Sequence, residues 1–98
     1  MMCGGLAETK QPDAEVIEIC STIRPHLETK VGRTFETFEP ISYRTQVVNG
    51  VNYFIKIRVG DNHYVHARVH RAFSGETNLH GYQDNKGEQD ELEYIDMF

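Results

Sequence analysis

Two hydrophobic rhythms divide the chain. Between Asp13 and Gly32, apolar residues recur every three or four positions: Val16, Cys20, Ile23, Leu27 and Val31, with Ile19 widening the row. That spacing predicts one amphipathic helix of about 18 residues with a single buried face. Asp13, Glu15 and Glu18 put negative charge at its start, where the helix dipole favours it. Gly32 suits a left-handed stop. Pro25 falls inside the row, yet the stripe resumes in phase at Leu27, so the expectation is one kinked helix rather than two. Residues 1–11 carry Gly4-Gly5 and no periodicity, and are expected to form a flexible tail.

From Phe35 onward the period changes to two. Ile41, Tyr43, Thr45 and Val47 alternate with Ser42, Arg44 and Gln46. Beyond Asn49-Gly50, a strong hairpin signal, Tyr53, Ile55, Ile57 and Val59 alternate with Asn52, Phe54, Lys56 and Arg58. After Gly60-Asp61-Asn62, Val65, Ala67 and Val69 alternate with Tyr64, His66, Arg68 and His70. This predicts an antiparallel meander with one dry and one wet face. A turn at residues 74–78, a short closing strand over 79–83 and a polar loop over 84–90 follow. Leu92, Tyr94, Ile95 and Phe98 suggest a terminal segment docked on the body. One helical stripe and one dry sheet face satisfy each other in an α+β two-layer domain spanning residues 1–98.

Composition adds limits. The 98 residues are 39% hydrophobic and 26% charged, with a net charge of -5. Such a chain builds one core, and the absence of a basic cluster argues against nucleic acid as partner. No apolar run nears the roughly 20 residues of a membrane span. MMCGGLAETK lacks the pattern of a signal peptide, Met2 stands where a myristoylation signal has glycine, and EYIDMF holds no cysteine to prenylate. A soluble cytoplasmic protein is expected. The two cysteines, Cys3 and Cys20, form neither a disulfide framework nor a zinc motif. Cys20 belongs to the helical stripe, and Cys3 is a tail thiol.

No catalytic constellation emerges. His66 and His70 on one strand face stand about 13 Å apart, too far to share an ion, so His63, His66 and His70 read as solvated polar-face residues. There is no nucleophile elbow, P-loop or dinucleotide fingerprint. Glu88, Asp90, Glu91 and Glu93 read as a solvated acidic face. With no cofactor or enzyme activity expected, function points to binding. Three surfaces qualify: the apolar tail around Gly4-Gly5, the pair Val47-Val48, and Phe73 beside Ser74-Gly75. Successive strand side chains face opposite ways, so at least one of the two valines stays out of the core. Alternate turns of a meander fall at the same end of the sheet, which places the valine tip beside the Phe73 turn.

Together these stretches resemble the cystatins, and most closely the type-1 branch, the stefins. The resemblance is carried by M-x-x-G at Met1 to Gly4, TQVVNGVNYFIKIRVGD over residues 45–61, GYQ over 81–83 and DEL over 90–92. It implies a cystatin-like sheet gripping one long helix, and reversible inhibition of papain-like cysteine proteases such as cathepsins. It also implies a three-part wedge: the tail with Met2, Cys3, Gly4 and Gly5; the first loop with Gln46, Val47, Val48, Asn49 and Gly50; and the second loop with Phe73 and Ser74. Asn49 replaces the usual alanine, and Phe73-Ser74 replaces the usual Leu-Pro. A non-inhibitory interaction module on the same fold is the alternative. A monomer is expected, with a domain-swapped or Cys3-linked dimer as the other forms.

Overall fold

The computed structural model describes residues 5–98. Among the described residues, a single helix, α1 (Ala14–Val31), precedes four strands: β1 (Glu39–Val48), β2 (Gly50–Gly60), β3 (His63–Arg71) and β4 (Thr77–Lys86). The strands form one antiparallel sheet in the order β1-β2-β3-β4. The expected α+β two-layer arrangement is present.

The helix starts where its cap allows. The Asp13 carboxylate accepts from Val16 N at 2.9 Å, satisfying a donor that has no partner in the first turn. Its other oxygen accepts from Tyr43 Oη on β1 at 3.2 Å, which ties the helix start to the sheet. Gly32 closes the helix in the left-handed region, φ 91°. Pro25 sits within the continuous span. Val16, Ile19, Cys20, Ile23 and Leu27 are buried against Tyr43, Tyr53, Ile55, Ile57, Val65, Ala67 and Val69. Each of the valines, leucine and isoleucines removed from water contributes about 1.5–3 kcal/mol, as an upper estimate. Beyond the helix, Glu28 accepts from Phe35 N at 3.0 Å and from Arg24 Nε at 3.2 Å. Arg24 also donates to Phe35 O, so the pair clasps the backbone leading into β1.

The second face of the sheet departs from expectation. It is not wet: Phe54, Lys56, His66 and Arg68 are all buried. The terminal segment covers Phe54 and Arg68, and Lys56 donates to Glu88 O in the loop before it. Arg44 Nη1 on β1 donates to Leu92 O at 2.9 Å. Leu92 and Ile95 pack on Phe54 over β2. Arg68 Nη1 on β3 donates to Ile95 O at 2.7 Å and to Tyr94 Oη at 3.0 Å. Phe98 N donates to His80 O on β4 at 2.8 Å. The segment thus crosses all four strands like a strap. It passes so close that a Cβ at Gly81 would strike the Asp96 carbonyl. His66 is fully buried, and neither ring nitrogen has a hydrogen-bond partner among the described residues. Burial, then the charges of Lys56 and Lys86, push its pKa down from 6.5 to about 4, with Asp90 pulling the other way. The expectation of a solvated histidine is corrected here.

Two boundaries also shift. β4 runs over Thr77–Lys86, longer than the 79–83 expected. Part of the tail is ordered: Ala7 N donates to Thr45 O at 2.8 Å, and Lys10 exchanges both backbone hydrogen bonds with Tyr43. Arg44 grips the same stretch, its Nε donating to Ala7 O at 2.7 Å. A chain with no periodicity becomes ordered here by borrowing donors and acceptors from the open edge of β1.

Candidate functional site

The first hairpin turns within a few residues. Val47 pairs with Val51 and Val48 with Gly50, leaving Asn49 alone at the apex. Gly50 takes φ 100°, and a Cβ there would lie 2.6 Å from Arg71 O and 2.8 Å from His70 Nε2. Both conformation and crowding demand glycine. Asn49 does not adopt the positive φ that its type allows; Asn62, φ 54°, does so in the next turn. Behind the apex, His70 Nε2 lies 2.8 Å from Asn49 O. A carbonyl only accepts, so Nε2 carries the hydrogen. The His70 ring stacks on His80, centroids 5.5 Å apart and planes within 3°. Burial, with the neighbouring His70 and Arg68, lowers the His80 pKa.

The valine pair departs from strict alternation. Val47 is 76% exposed and Val48 41% exposed. Both are out because the hairpin extends past the buried cluster, whose last full contributors on these strands are Tyr43 and Tyr53. Gln46 lies on the same sheet face as Val48, one step back along β1. It is buried, and its Oε1 accepts from Asn52 Nδ2 at 2.9 Å. It supports the base of the hairpin instead of joining the exposed surface.

The second turn lies at the same end, as the meander argument required: Val51 at the foot of the first tip pairs with Arg71 at the foot of the second. Ala72 N donates to Glu76 O and Gly75 N to Ala72 O, both at 2.9 Å. This holds Phe73 81% exposed, with exposed Ser74 beside it. The tail heads the same way. From Lys10 beside Tyr43 to Ala7 beside Thr45, the chain runs along β1 toward Val48. Gly5 is exposed. Met2, Cys3 and Gly4 lie outside the described residues. The result is a ridge of Val47, Val48 and Phe73, with the tail directed at its side.

A family model for the cystatin domain matches residues 4–92. The chain belongs to the cystatin family. Cystatin-A of Mus musculus is 46% identical over 97 residues, covering 97% of this chain and all of that protein. Leukocyte cysteine proteinase inhibitor 1 of Sus scrofa is 45% identical over 95 residues, 94% of this chain and 92% of that one. Cystatin-A2 of Dictyostelium discoideum is 42% identical over 92 residues, 94% and 96% of the two chains. The Cystatin-A relatives set this cystatin on the type-1, stefin branch. Its residues 93–98 lie past the family match, yet they complete the strap through Tyr94, Ile95 and Phe98.

Sequence reasoning missed His70, Asn52 and Arg44 as parts of this site. Counting register from the Asn49-Gly50 turn would have found the first two, since Asn52 pairs with His70. Nothing in the pattern signals Arg44, whose grip on Ala7 O and Leu92 O joins segments distant in the chain.

Proposed function

We propose that this protein is a reversible, tight-binding inhibitor of papain-like cysteine proteases, cathepsins among them, and acts by plugging their active-site cleft. The carrying observation is the exposed apolar ridge: Val47, Val48 and Phe73 stand out of the core on two braced turns at one end of the sheet. A relative covered over nearly its full length is named for cysteine proteinase inhibition, which supports the reading.

The geometry explains how such a plug works. Burial of two valines and a phenylalanine supplies apolar affinity. Gly50, His70 and the Gln46–Asn52 bond hold the hairpin in one shape, so little ordering is left to oppose binding. A hairpin tip enters the cleft without offering a peptide bond in attack geometry, so the protease does not turn it over. Met2 and Cys3 supply side chains to the non-primed subsites, and Gly4 and Gly5 let the tail pass close to the enzyme. Asn49 and Gly50 approach the catalytic centre, while Phe73 and Ser74 pack on the primed side. A buried free thiol at Cys20 suits action in the reducing cytoplasm.

Titration of papain tests the reading. Stoichiometric loss of activity is expected; full activity at micromolar inhibitor would favour the non-inhibitory module instead. Removing residues 1–4 should speed dissociation, since interface changes act mainly on off-rate; an unchanged off-rate would remove the tail from the contact.

A further inference from the structure

The apex peptide joins Asn49 to Gly50, the only Asn-Gly pair in the chain. Its side-chain amide and the next backbone nitrogen belong to adjacent residues, so they can close a five-membered ring. Two features of this fold bear on that closure. Gly50 has no Cβ to shield its nitrogen from Asn49 Cγ. And His70 Nε2–H donates to the Asn49 carbonyl, 2.8 Å away. That carbonyl is part of the same peptide unit as Gly50 N. When Gly50 N loses its proton to become a nucleophile, the resulting charge spreads onto Asn49 O. A donor already aimed at that oxygen stabilises the anion, as an oxyanion-hole donor does.

We infer that Asn49 is a site of spontaneous, His70-assisted deamidation at the tip of the first hairpin. In the first step a bond forms between Gly50 N and Asn49 Cγ. The Cγ–Nδ2 bond breaks, and ammonia leaves with the proton that Gly50 N gave up, carried by water. In the second step water opens the imide ring. Cleavage of the Gly50 N–Cγ bond leaves aspartate. Cleavage of the bond from Gly50 N to the former Asn49 carbonyl carbon leaves isoaspartate, whose main chain runs through the side chain. Neither step needs an oxidant or a cofactor. Either product places a carboxylate at the apex between Val48 and Gly50. Isoaspartate also adds one carbon to the backbone, and a turn with a single apical residue has no slack for it. On the inhibitor reading, on which this last consequence rests, the chemistry is a timer: the wedge loses its fit as the protein ages.

The test uses the full chain, incubated near neutral pH, sampled over time, and digested for mass spectrometry with enzymatic isoaspartate labelling. Modification is expected at Asn49 ahead of Asn52, Asn62, Asn78 and Asn85. His70→Phe should slow it by roughly three- to tenfold, about the rate equivalent of one hydrogen bond. His70→Gln, whose amide nitrogen reaches where Nε2 sits, should restore much of the rate. Equal rates in the wild type and His70→Phe, or an unmodified Asn49 in the wild type, would overturn the inference. Titrating fresh and aged protein against papain separates the two claims. Failure of fresh protein to inhibit strikes the proposed function and leaves the mass result standing.

Discussion

At the scale of single residues, Val48 and Gly50 are neighbours with opposite duties. Val48→Asp should weaken papain binding by more than about 1 kcal/mol, the bar for a meaningful contact residue, and leave thermal unfolding nearly unchanged because the side chain is exposed. Equal binding by the variant would take the tip out of the contact. Gly50→Ala should behave differently. It adds a Cβ to a residue at φ 100° and drives it against Arg71 O, so it should destabilise the fold by roughly 1–3 kcal/mol, read as a lower denaturant midpoint. The valines were legible in the sequence because two adjacent β-branched residues break alternation. That both are exposed was not, because a two-residue period does not show where the helix ceases to cover the strand. Gln46 is the converse case: a polar residue beside an exposed tip is buried, since Asn52 across the hairpin meets its amide.

At the scale of elements, the helix was readable almost to the residue. Its stripe, its charged start at Asp13 and its Gly32 stop are each written in residues a few positions apart, and these local signals agree with the tertiary outcome. The strap was only half readable. Leu92 and Ile95 announced themselves as apolar, but their target Phe54 stands between Asn52 and Lys56 in what scans as a wet row. Only the folded chain, with Arg44 and Arg68 holding the Leu92 and Ile95 carbonyls, reveals a second layer. Ile95→Ala should therefore cost about 2–4 kcal/mol, measured by urea unfolding, whereas truncation of exposed Met97 should change little. If Ile95→Ala unfolds at the wild-type midpoint, the strap does not contribute to the core.

At the scale of the whole molecule, His66 couples stability to acidity. Below pH 6.5 the unfolded chain binds a proton that the folded chain refuses until about pH 4. Stability therefore falls as pH drops through that window, by at most about 1.4 kcal/mol per unit from this group. Thermal unfolding followed from neutral to acid pH should show the decline. His66→Leu should flatten it and should raise stability, because two buried ring nitrogens without hydrogen-bond partners are removed. An unaltered slope in the variant would assign the acid sensitivity elsewhere. Lys56, whose Nζ donates to Glu88 O at 2.7 Å, adds with Lys86 to the penalty on protonating His66.

The pairing of residues 7–10 with β1 has one more consequence. A four-stranded open sheet has two outer strands, and an outer strand with bare amides and carbonyls is a template for another chain. The Tyr43 amide and the Tyr43 and Thr45 carbonyls on β1 are occupied by Ala7 and Lys10. The same stretch that points the tail at the ridge also keeps that border closed. A chain trimmed to begin after residue 10 should self-associate more readily than the intact one, as light scattering at matched concentration would register.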